Sequence, residues 1–123
     1  MVSPTPVGTD FNGILCDERT GASLQLPRRR PVLAIVTARP AKARGDTEAW
    51  LAAWGVRYQH LVLGPWPSWN EMTDAEGIGR WKAGEYLRLG TAPFVESDPA
   101  QARVLPAHSG RPVLCPALGH LLA

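Results

Sequence analysis

Cysteine is scarce in this chain. Its 123 residues hold two, Cys16 and Cys115, far apart and without Cys-x-x-Cys spacing. They could form one bridge at most, and free thiols in a reducing cytosol are the simpler account. The histidines His60, His108 and His120 lack metal-ligand spacing and receive no role. An excess of one charge is also missing: 13 Lys and Arg against 11 Asp and Glu leave +2, too little to argue for nucleic acid or an acidic membrane. The one basic run, Arg28-Arg29-Arg30, sits between Pro27 and Pro31 and reads as a solvated loop before a strand. No apolar run approaches a membrane span, and neither end carries a basic stretch followed by an apolar one. Repeats are absent too. The expectation is one soluble cytoplasmic domain over residues 1–123, with no membrane partner.

What is present suits a globular core: 45% hydrophobic and 20% charged residues, with 12 Gly and 12 Pro for many short connections. The first strand is short, Pro6 to Thr9, and runs into Asp10-Phe11-Asn12-Gly13. From Gly13 to Leu26, two short apolar stretches around Arg19-Thr20-Gly21 read as a hairpin. Pro31 to Thr37 is continuous, apolar and β-branched, as a strand covered on both faces should be. Asp46 is expected to cap a helix, Thr47 to Trp54, in which Trp50, Leu51 and Trp54 read as core anchors.

A weaker strand follows, Val56 to Leu63, and then a loop, Gly64 to Thr73. In that loop Trp66 and Trp69 either pack beneath the chain or line a substrate mouth. A helix from Ala75 or Ile78 to Leu89 contains Lys82, and Pro93 to Glu96 is a fourth strand. Gln101 to Ala107 reads as a short helix, Arg111 to Cys115 as a fifth strand, and Leu118 to Leu122 as a small helix or tail. Strands and helices alternating at this spacing predict an α/β domain with a mainly parallel five-stranded sheet.

In such a sheet the carboxyl ends of the strands share one edge. Asp10, Thr37 and the pair Glu96/Asp98 each stand at such an end and should converge. Two carboxylates can hold Mg²⁺, which takes oxygen ligands and keeps room for substrate oxygens. The Thr37 hydroxyl, the neighbouring Ala38 N–H and the Lys82 ammonium could meet a phosphoryl group. An aspartate at Asp10 could then attack phosphorus to form an acyl phosphate.

The order of these signals resembles the haloacid dehalogenase-like (HAD) superfamily. Asp10-Phe11-Asn12-Gly13-Ile14-Leu15 is similar to its first motif, Asp-x-Asp-Gly-Thr/Val-Leu, and Ile35-Val36-Thr37-Ala38-Arg39-Pro40 looks like its second. Lys82 stands where the third motif places a lysine, and Phe94-Val95-Glu96-Ser97-Asp98 resembles the acidic fourth. The likeness spans residues 7 to 116 and is nearest to small phosphatases without a large cap, polynucleotide 3′-phosphatase-like domains among them. It implies a three-layer Rossmann-like domain with a small hairpin flap after the first strand. It also implies a phosphorylated substrate, with nucleic acid entering only in that capacity.

Position by position, the resemblance makes Asp10 the nucleophile and a Mg²⁺ ligand. Asn12 would be a second ligand through its carbonyl, Thr37 and Lys82 catalytic phosphate-binding groups, and Glu96 or Asp98 the remaining ligand. The chain departs from the pattern at two places. Asn12 replaces the acid that would shuttle a proton, and Ser97 falls on the usual acidic position in one alignment. Two readings follow: a Mg²⁺-dependent phosphohydrolase or phosphotransferase, or a catalytically impaired domain kept for binding or structure. A dehalogenase or phosphonate-cleaving relative is a third, for which the needed residues cannot be assigned.

Overall fold

The computed structural model describes residues 7–9, 32–90, 94–115 and 120–122. Asp10, Asn12, the Gly13–Leu26 hairpin, Cys16 and the arginine run lie outside the described residues. The elements are β1 (Val7–Thr9), β2 (Val32–Pro40), α1 (Arg44–Ala53), β3 (Tyr58–Gly64), α2 (Ala75–Leu89), β4 (Phe94–Val95), α3 (Pro99–Ser109), β5 (Val113–Cys115) and β6 (His120–Leu122). Short 3-10 turns occupy Ala41–Ala43 and Trp69–Glu71.

The chain is mixed α/β, and the arrangement follows from its best strand. In β2 the consecutive residues Ala34, Ile35 and Val36 are all fully buried, which requires cover on both faces. Alternation sorts them. Ile35 joins Ala43, Leu51, Val56, Leu61 and Leu63 in a core beneath α1. Ala34 and Val36 join Ala83, Tyr86, Phe94, Ala102, Leu105, Val113 and Cys115 in a second core beneath α2 and α3. Tyr86 and Phe94 stack within it, centroids 3.8 Å apart and planes 15° from parallel. Cys115, buried there, is a free thiol as expected.

The strands form one sheet in the order β3-β2-β1-β4-β5-β6. The pairs from β3 through to β5 are parallel, and β6 runs antiparallel to β5. Among the described residues the sheet has six strands rather than the expected five. The stretch read as a terminal helix or tail contributes the extra one, whose backbone pairs with the otherwise open edge of β5.

Helix ends account for other differences. The sequence points to Asp46 as the cap of α1, but the helix begins at Arg44 with no side-chain cap, which puts Asp46 in its first turn. There its charge still complements the helix dipole. Leu51 is fully buried, while Trp54, expected as a core anchor, is 44% exposed and stacks on half-buried Trp50 at 6.0 Å.

α2 is capped by Asp74, which accepts the Gly77 N–H at 2.9 Å, and closes at Gly90 in the left-handed conformation. Gly79 has a packing reason: a methyl there would come within 2.9 Å of Val104 on α3. Asp98 caps α3, so this helix begins two residues before the expected Gln101. No helix among the described residues is long and apolar enough to cross a membrane.

Candidate functional site

Chain order reverses in the sheet between β1 and β4, and crevices in open α/β sheets form at the carboxyl ends of strands where that happens. Thr9, the last described residue of β1, is in register with Ile35 of β2 on one side and Val95 of β4 on the other. One and two steps further along the flanking strands stand Glu96 and Thr37. Thr37 and Glu96 thus both stand toward the carboxyl ends of the two strands that flank β1. Asp10 and Asn12, the other half of the expected convergence, lie outside the described residues.

β2 leaves the sheet through a bulge, not at Thr37 as the sequence suggests but three residues later. Thr37 pairs with Leu63 and Pro40 with Gly64, so Ala38 and Arg39 bow out of the ladder. Two of their backbone polar groups are satisfied locally. Arg39 donates its N–H to the buried Thr37 Oγ1 at 3.2 Å, and Ala38 O accepts the Trp66 indole N–H at 2.6 Å. A hydroxyl that accepts in this way keeps its proton for donation.

Arg39 also donates from Nη1 to Thr47 Oγ1 at 3.3 Å, and its guanidinium lies 5.9 Å from the Trp69 ring centre. The Gly64–Met72 loop thus folds back over the end of β2. Gly64 suits this place, because a Cβ would clash with the Trp66 indole. Trp66 packs edge-on against Trp81 at 5.3 Å. Of the two uses the sequence left open for the loop tryptophans, Trp66 takes the packing one, whereas Trp69 stays 50% exposed at the rim.

On the other side of β1, α2 delivers Lys82 to Glu96. Their Nζ and Oε1 lie 2.6 Å apart, and the side chains are 1% and 0% exposed. Lys82, expected as a phosphate-binding group, therefore stands in a buried ion pair. Asp98 donates its N–H to Glu96 Oε2 at 3.0 Å. The Asp98 carboxylate in turn accepts from Ala100 N at 2.9 Å and from Gln101 Nε2 at 3.2 Å.

Asp98 thus works as a helix cap. Each of the four carboxylate oxygens of Glu96 and Asp98 accepts at least one hydrogen bond. An ionised carboxylate has about four lone-pair positions, so these bonds take up part of what a hard cation would use. Among the described residues no three His, Cys, Asp or Glu side chains cluster as metal ligands, so a Mg²⁺ site here would need Asp10 and Asn12.

Sequence reasoning passed over Arg39 and Gln101. Arg39 was signalled by its place two residues after Thr37, and Gln101 by its place at the third position of a helix capped by Asp98. Comparison of the chain with protein-family models, with curated proteins and with solved structures gives no match.

Proposed function

We propose that this chain is a HAD-like, three-layer Rossmann-like phosphohydrolase or phosphotransferase, with a small hairpin flap after its first strand. It would act on a phosphomonoester through an aspartyl phosphate on Asp10. One observation carries the reading. The register sets Thr37 on one side and the Lys82–Glu96 pair on the other side of Thr9, the residue that precedes Asp10 in the chain.

In this scheme the Asp10 carboxylate attacks phosphorus as the ester oxygen leaves, and water later cleaves the acyl phosphate. Thr37 and the Ala38 N–H receive the phosphoryl oxygens, while Lys82 offsets charge at the rim. Mg²⁺ would be held by Asp10, the Asn12 carbonyl and Glu96 or Asp98, and when bound supplies positive charge between nucleophile and phosphate. Asn12 has no proton to give the leaving group, so activated esters are the favoured substrates.

A specific observation favours the second reading, an impaired domain that binds without turning over. The Lys82 charge is already matched by Glu96 in a site closed to water, so this pair adds no net positive charge for a phosphate. Purified protein with Mg²⁺ and an activated aryl phosphate decides between the two. Turnover that Asp10→Asn abolishes supports the enzyme, and its absence supports the binding domain. In the working enzyme Asn12→Asp restores general acid help and raises the rate on unactivated esters by roughly 10²–10⁴-fold.

A further inference from the structure

Trp69 presents half of its surface to solvent beside Arg39 at the end of β2, on a turn whose backbone is tied down. Trp66, three residues earlier, is tied to Ala38 O at 2.6 Å. The turn that carries Trp69 is closed by the Glu71 N–H donating to Ser68 O at 3.1 Å and by Ser68 Oγ donating to Glu71 Oε2 at 3.1 Å. Arg39 lies over the ring, 5.9 Å from its centre, and belongs to the bulge that begins at Thr37. A large flat ring fixed in this way costs little further ordering when something stacks on it. Trp66, in the same loop, instead turns its indole inward, onto Ala38 O and Trp81.

From this geometry we propose that Trp69 is the stacking platform for a flat aromatic group carried by the phosphorylated substrate, with Arg39 adding positive charge beside it. The inference deepens the phosphomonoester reading and rests on it. A ring on the substrate gains by stacking on the indole, and the guanidinium favours the electron-rich face of a ring and the anionic phosphate alike. Nucleobases and phenols share this chemistry.

The test is calorimetric titration of the full chain, with Mg²⁺, against two matched pairs. Adenosine 5′-monophosphate is compared with ribose 5-phosphate, and O-phosphotyrosine with O-phosphoserine. At least one ring-bearing partner should bind more tightly than its ringless counterpart by roughly 5- to 100-fold. Which pair shows the gain identifies the ring as nucleobase or phenol.

Trp69→Ala should erase the difference, and Trp69→Phe should keep part of it. Trp69 is half exposed, so both variants should fold, which circular dichroism checks. Equal binding within both pairs, a gain that survives Trp69→Ala, or no binding by any of the four overturns the proposal. The two failures separate cleanly. Turnover of the activated aryl phosphate with equal binding inside both pairs keeps the enzyme and removes the platform. Ring-dependent binding without turnover of that aryl phosphate keeps the platform and removes the enzyme.

Discussion

Replacing Glu96 by glutamine would set a neutral amide in place of the carboxylate beside the Lys82 ammonium, where water does not reach. The two side chains are 0% and 1% exposed and 2.6 Å apart, so solvent cannot replace the lost counter-charge. Breaking a buried pair from one side costs roughly 3–5 kcal/mol. Glutamine keeps the shape, and its carbonyl oxygen can still accept one bond, which sets the expectation at the low end, about 3 kcal/mol. With a urea slope of about 2 kcal/mol/M, the unfolding midpoint falls by about 1.5 M.

Lys82→Met removes the ammonium from Glu96, which keeps the Asp98 N–H, and should cost a similar amount. The double variant removes both charges together, and its midpoint should return to within about 0.5 M of the parent protein, since a well-packed neutral pair is close to neutral in stability. Urea unfolding followed by circular dichroism on the four proteins gives the cycle directly. Two single losses that simply add in the double variant, or a Glu96→Gln shift below about 0.3 M, would refute the closed ion pair.

Two substitutions within α2 should move in opposite directions. Gly79→Ala meets Val104 and should cost about 1–3 kcal/mol. Gly84→Ala has open space around it and should add about 0.5–1 kcal/mol; thermal unfolding of the pair reads both. At the head of α3, Asp98→Ala removes the cap and should cost about 1 kcal/mol, whereas Asp98→Asn caps nearly as well and should stay within a few tenths. A loss in Asp98→Asn as large as in Asp98→Ala, by urea unfolding, would show that the carboxylate charge matters and not only its oxygen geometry.

Much of the alternation of strands and helices was legible because its signals are local. The run from Val32 to Thr37 could only be a covered strand, and Gly90 could only end a helix as cheaply as it does. Elsewhere tertiary contacts decided the outcome. β2 continues to Pro40 because the Trp66 indole and the Thr37 hydroxyl take up the polar groups of its bulge, and no local propensity announces that.

Lys82 illustrates the same limit within the site. Its position was readable, but its state depends on Glu96, fourteen residues away and on another element. Glu96 and Asp98 could be named as a pair, while their division of labour came from bonds to Lys82, Ala100 and Gln101. β6 went unread because three residues are too few to show a period, and their pairing depends on an edge formed elsewhere in the chain.

The placement of β1 has a consequence for how this protein folds. Its three residues lie between β2 and β4, and its partner across the second of those pairings, Val95, comes from almost the opposite end of the chain. So short a strand cannot hold its place until both flanks exist. Pairings between such distant segments close slowly, because loop entropy is lost before the contact is gained. The candidate site should therefore be among the last parts of the molecule to assemble, after α1 and α2 have already docked.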